Sequence, residues 1–151
     1  MSELTALYQD IILDHYKRPR HRGRLEPADG ESEGYNPLCG DKVRLTLRWD
    51  EGGERIGEVA FEGEGCAIST ASASLLTEAV AGKTKDEVRD LSASFLDVLT
   101  GDRDPLSDPR LGKLAALAGV RQYPMRVKCA TLAWHTLLAA MEGRDQPVST
   151  E

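Results

Sequence analysis

From Asp41 to Trp49 the chain alternates without interruption, with Val43, Leu45, Leu47 and Trp49 on one side and Lys42, Arg44, Thr46 and Arg48 on the other. A period of two suits a strand with one face in a core and the other in water, because successive side chains of an extended chain point in opposite directions. Such a strand needs a partner. Asp50-Glu51-Gly52-Gly53-Glu54 supplies turn residues that tolerate positive φ, and Ile56, Val59 and Phe61 restore an apolar run, so a hairpin is predicted.

Past Cys66 the period changes. Ile68, Ala71, Leu75, Leu76, Ala79 and Val80 recur at helical spacing, and Gly82 stands where that helix should end. Thr84 and Glu87 have the spacing of a capping box for a further helix. Asp108-Pro109 then opens a capped helix through Leu111, Leu114 and Leu117 to Gly119. A last helix is predicted from Pro124 to Gly143, with Val127, Ala130, Trp134, Leu137, Leu138 and Met141 on one face. At the other end, Leu4, Leu7, Ile11 and Ile12 mark an amphipathic opening helix, with Ser2 available as cap and Pro19 as stop. Strands followed by helices describe an α+β domain, a small antiparallel sheet with helices packed on it. With 151 residues, 40% of them apolar, one domain over 1–143 can bury a core without disulfide staples, and 144–151 is expected as a disordered tail.

The formal charge of -6 argues against general affinity for nucleic acid, which needs a surplus of cations on one face. One basic stretch, Lys17 to Arg24, interrupts the acidic background and suits either a solvated segment or the docking of an acidic partner. No apolar run approaches the roughly 18 residues a bilayer needs, and Asp10 and Asp14 fall where a secretory signal would be uncharged. A cytoplasmic location is therefore expected, with no membrane association. Three cysteines cannot all pair within one chain, and a reducing cytoplasm keeps them as thiols.

Each cysteine falls at a boundary between predicted elements: Cys39 before the first strand, Cys66 between hairpin and helix, Cys129 in the opening turn of the last helix. A helix N-terminus favours a thiolate, so Cys66 and Cys129 are expected to ionise more readily than an ordinary thiol of pKa about 8.5. Asp41 follows Cys39 with Gly40 between, which lets both side chains turn toward one ion if Gly40 bends the backbone. Zinc accepts three thiolates and a carboxylate in a tetrahedron, and iron of an iron-sulfur cluster also favours thiolate, so donor type leaves both metals open. Free cysteines are also common in cores, and there is no CxxC pair, so spacing alone leaves buried thiols open as well. His15, His21 and His135 are expected in structural or solvated roles. Arg126 and Lys128 flank the last cysteine, and helix geometry lets only one face the site.

Three segments together carry a resemblance: Gly34-Tyr35-Asn36-Pro37-Leu38-Cys39-Gly40-Asp41, Gly63-Glu64-Gly65-Cys66-Ala67-Ile68-Ser69, and Arg126-Val127-Lys128-Cys129-Ala130-Thr131-Leu132. They are similar to the IscU/NifU N-terminal scaffold family of iron-sulfur cluster assembly, in its SufU branch. Leu13 to Arg20 and Ala71-Ser72-Ala73-Ser74 extend the likeness over almost the whole chain. The resemblance implies an IscU/NifU-like fold, zinc held by Cys39, Asp41, Cys66 and Cys129, and Cys39 as the residue that accepts sulfur from a SufS-like, pyridoxal-phosphate cysteine desulfurase. It implies that Cys39 leaves the metal during transfer and that downstream cluster-assembly proteins take the sulfur on. The alternative it implies is a scaffold on which the same thiolates hold a transient 2Fe-2S cluster for delivery. Two departures separate the chain from IscU proper: Lys128 stands where IscU has a histidine, and Tyr123-Pro124-Met125-Arg126-Val127 stands near the place of a Leu-Pro-Pro-Val-Lys motif. The stretch from Thr84 to Gly119 is likewise longer than in IscU and similar to SufU.

Overall fold

The alternating segment forms strand β2 (Asp41–Trp49), and it lies inside a sheet rather than beside a single partner. The computed structural model describes residues 3–101, 103–143 and 147–149. In chain order the elements are α1 (Glu3–Lys17), β1 (Gly30–Asn36), β2, β3 (Ile56–Glu64), α2 (Ala67–Val80), α3 (Lys85–Thr100), a 3-10 segment (Pro109–Gln122), α4 (Pro124–Glu142) and β4 (Val148–Ser149). The sheet order is β3-β2-β1-β4. As the hairpin signal requires, β2 and β3 pair antiparallel, with Leu45 opposite Phe61 and Leu47 opposite Val59. The mixed α+β class expected from the sequence is the one observed.

Strand β1 had no signal in the sequence. Gly30-Glu31-Ser32-Glu33-Gly34-Tyr35-Asn36 carries no aliphatic side chain, yet Ser32, Gly34 and Asn36 are buried. The cause lies across the core. Helix α4 passes so close that a Cβ at Gly34 would overlap Thr136 Oγ1 and come within 3.0 Å of Leu132 Cδ1. Small residues are what this crossing admits, so the buried face looks polar on paper. On the outer face Arg44 of β2 binds both Glu31, at 2.6 Å, and Glu33. The Tyr35 hydroxyl donates to Glu33 at 2.7 Å and, ahead of Arg44, holds that carboxyl below its usual range.

Within the tail expected to be disordered, Val148–Ser149 pairs parallel with β1 at Gly34 and Tyr35; residues 144–146 and 150–151 lie outside the described residues. The Asp108–Gly119 helix is a 3-10 segment broken at Gly112 (φ 49, ψ -124), with Asp108 capping Arg110 N–H at 3.0 Å. Leu111, Leu114, Leu117 and Val120, all buried, repeat every third residue, the period at which a 3-10 helix stacks side chains on one face. The basic segment is largely compensated within the chain: Arg18 and Arg20 bind Asp14, and Arg24 binds Glu26 and Glu31. Its backbone runs along the edge of β3, where Gly23 N–H donates to Phe61 O at 2.7 Å and Phe61 N–H to His21 O at 3.1 Å, which covers part of an otherwise open strand edge.

Apolar side chains of the inner sheet face meet α2, α3, α4 and the 3-10 segment in one continuous core. At its centre the rings of Phe95 and Trp134 pack tilted by 39° with centroids 5.1 Å apart. The small residues of α2 let its neighbours approach. Ser72 Oγ donates to Ala130 O of α4 at 2.6 Å, and Ser74 Oγ meets His15 Nδ1 of α1 at 2.7 Å. No described helix is long and apolar enough to cross a membrane.

Candidate metal centre

The site forms where three chain segments end on the same side of the core. β1 and β2 are joined through Pro37-Leu38-Cys39-Gly40, and Asn36 and Asp41 form the last rung of the ladder below that loop. Gly40 takes φ +72, a left-handed conformation that glycine adopts without steric cost, and Cys39 N–H donates to Asn36 O at 3.2 Å. Cys39 is thereby set half-exposed at the turn. Asp41 opens the apolar face of β2, because the alternation that buries Val43, Leu45 and Leu47 also turns residue 41 inward, and it is only 2% exposed. A carboxylate at that position is costly unless its oxygens are satisfied.

Both oxygens have donors. Cys66 N–H donates to Asp41 Oδ1 at 2.9 Å, and Asn36 Nδ2 donates to Oδ2 at 3.2 Å. Cys66 is the N-cap of α2, its sulfur accepting from Ser69 N–H at 3.4 Å in the role usually taken by Ser or Asp. The chain reaches that position through Gly63 and Gly65. At Gly63 (φ +137) a Cβ would overlap the Lys42 carbonyl, and at Gly65 it would press on Asp41 Oδ1 at 3.1 Å. Cys129 comes from α4, five residues after Pro124, and is 0% exposed.

Donor atoms of Cys39, Asp41 and Cys129 all lie within 4.8 Å of one another. Ligand atoms on a tetrahedral zinc, bonded at about 2.0 to 2.3 Å, stand roughly 3.3 to 3.8 Å apart, so small side-chain movements close this trio on an ion. Cys66 lies outside the trio, its sulfur turned to cap α2, yet its thiol is among the groups that act on Cys129. Two thiols, a carboxylate and a third thiol at the rim form a donor set chemically suited to zinc.

The expectation of a readily ionised Cys129 is overturned. Burial pushes its thiol well above the usual range, and hydrogen bonding with Asp41 and then Cys39 adds to that. The sulfur sits past the first helical turn, beside Met125 O at 3.6 Å, so desolvation outweighs any help from the helix terminus. Of the two flanking cations it is Arg126 that faces the site, where Cys66 foremost holds its proton affinity above the ordinary guanidinium value. Leu38, Tyr123 and Met125, large apolar residues neighbouring Cys39 or Arg126 in the chain, are exposed.

None of the three histidines belongs to this donor group. His15 is buried between α1 and α2, His21 Nδ1 meets Thr77 Oγ1 at 2.9 Å, and burial pushes the ring of His135 below its usual pKa. In the sequence Asn36 is marked only by its position inside the segment that carries Cys39 and Asp41.

Residues 7–130 match the model of the NifU-like N terminal domain. The chain is 43% identical over 137 residues to the zinc-dependent sulfurtransferase SufU of Bacillus subtilis, covering 90% of each chain. It is 42% identical over 142 residues to the iron-sulfur cluster assembly scaffold protein IscU of Streptococcus pyogenes, covering 94% of this chain and 87% of the other. Among solved structures, a protein from thermophilic Fervidobacterium islandicum, assigned as an iron-sulfur cluster assembly scaffold for the SUF system, superposes with a TM-score of 0.81 at 37% identity, covering 93% of this chain and 99% of that one.

Proposed function

Since the chain belongs to the NifU-like N-terminal domain family of iron-sulfur cluster assembly, we propose that it is a zinc-dependent sulfurtransferase that accepts persulfide sulfur on Cys39 from a pyridoxal-phosphate cysteine desulfurase. The observation that carries this reading is the convergence of the Cys39, Asp41 and Cys129 donor atoms within 4.8 Å, with Cys39 alone of the three outside the buried interior. Cys66 completes the donor set proposed for zinc. When bound, zinc supplies a positive centre that keeps the surrounding thiols ionised at neutral pH.

The chain's own residues divide the work. Cys39, on its loop, is placed to meet a partner's persulfide. Its thiolate attacks the terminal sulfur of R–S–SH, a new S–S bond forms on Cys39, the donor's S–S bond breaks, and the donor cysteine leaves as a thiolate that takes up the proton of the transferred sulfur. Arg126 provides a cation beside the cysteines for the resulting Cys39 persulfide anion. Exposed Leu38, Tyr123 and Met125 offer apolar area for the docking partner. The action is proposed to take place in the cytoplasm, with downstream cluster-assembly proteins as recipients.

The test is alanine release by the desulfurase under reductant, with and without the zinc-loaded protein. Stimulation that Cys39→Ala abolishes is the expected result. The name of the Streptococcus relative favours a second reading, a scaffold for a transient 2Fe-2S cluster. Absence of stimulation, together with stoichiometric iron and sulfide binding under anaerobic conditions, would replace the first reading by the second.

A further inference from the structure

One side-chain amide reaches two members of the donor set. Asn36 is 1% exposed, and its Nδ2 donates to Asp41 Oδ2 at 3.2 Å and to Cys129 Sγ at 3.5 Å. An amide nitrogen carries two hydrogens, so both bonds can be made at once. The opposite placement of the amide would set its oxygen against a carboxylate and a sulfur, which fixes the orientation. The backbone of Asn36 is tied as firmly, since it pairs with Asp41 across the ladder and its carbonyl accepts the Cys39 N–H at 3.2 Å.

We infer that Asn36 is a positioning residue of the metal centre, clamping Asp41 and Cys129 as a fixed pair. This rests on the zinc reading of the four donors. With Cys66 N–H on Oδ1 and Asn36 on Oδ2, each oxygen of Asp41 keeps one lone-pair site for an ion and the carboxylate plane is set from both sides. The N–H···S bond does the same for the buried sulfur of Cys129. Outer-shell partners of this kind typically change metal affinity 10- to 100-fold when removed. Both bonds come from one buried amide, so Asp41 and Cys129 are held relative to one another.

The experiment compares the wild type with Asn36→Ala and Asn36→Ser, the second keeping a small polar group should the first fail to fold. Zinc release to a chromophoric chelator, the optical spectrum of the cobalt-substituted protein and the unfolding temperature of the metal-free protein are measured for each. Zinc release at least about 10-fold faster, with altered thiolate-to-cobalt charge-transfer bands, is the expected result for a folded variant. A residue that merely supported the fold would lower the unfolding temperature of the metal-free protein and leave release and spectrum unchanged, and that outcome overturns the inference. If the wild type itself bound no zinc, the reading of the four donors would fall and this inference with it; wild-type binding matched by both variants would remove the inference alone.

Discussion

Cys39 and Cys129 carry the same thiol in opposite surroundings, one on a turn held by Gly40 and the other sealed in the core. Thiolate, rather than thiol, reacts with an alkylating agent. In metal-free protein iodoacetamide should therefore label the partly exposed Cys39 faster than Cys129, whose thiol is buried and whose proton is held by burial and by Asp41. Peptide mapping by mass spectrometry after timed quenching reads this, and equal rates would contradict the buried position. Asp41→Ala removes the acceptor of two hydrogen bonds, from Cys66 N–H and Asn36 Nδ2, along with one proposed ligand. Zinc affinity should fall at least about tenfold in a chelator competition, while the thiol count of the unfolded chain stays the same.

At the scale of elements, α3 is opened by Thr84 and Glu87 in a reciprocal capping box, Thr84 Oγ1 accepting Glu87 N–H at 3.2 Å and Glu87 Oε1 accepting Thr84 N–H at 3.1 Å. Thr84→Ala should cost about 1 kcal/mol in urea unfolding, with no change in zinc binding, because the cap belongs to no part of the donor set. The packing of β1 on α4 is less forgiving. Gly34→Ala places a methyl on Thr136 and Leu132, and overpacking of this kind costs about 1 to 3 kcal/mol. It should also disturb the candidate metal centre, because β1 carries Asn36 and α4 carries Cys129.

For the whole molecule, the joint between α1 and α2 makes stability depend on pH. Burial first, then Arg20 and Lys113, push the His15 ring below its ordinary pKa of 6.5, against the opposing pull of Glu78 and Asp14. An unfolded chain takes up the proton near that ordinary value, whereas the folded chain resists it to lower pH. The unfolded state therefore binds more protons in that window, and stability falls as the pH drops through about 6.5 toward the folded value. Metal-free protein should lose stability to urea between pH 7.5 and 5.5, by at most about 1.4 kcal/mol per pH unit for this one group. His15→Gln should flatten that slope, and His135, also pushed down by burial, should account for part of what remains.

Local patterns made several elements legible in advance. The two-residue period of β2, the turn after it, the Thr84–Glu87 cap and the Pro124-to-Gly143 helix are written in contiguous residues, and each folds as its own neighbours dictate. The motifs around Cys39, Cys66 and Cys129 likewise marked candidate site residues, of which Cys39 and Cys129 come together with Asp41. Tertiary structure decided the rest. β1 reads as a polar loop because its inner residues are small, and they are small because α4, about a hundred residues later, presses on them. Within the basic stretch Arg20 pairs with Asp14 and Arg24 with Glu31, contacts that no periodicity signals. Cys129 reads as a helix-start thiol, yet its depth in the core sets its proton affinity. Asn36 meets Cys129 across 93 positions of chain. Periodicity is a property of neighbours in sequence, whereas burial and hydrogen bonding at the site depend on distances between residues far apart in the chain, which exist only once the sheet and α4 have packed.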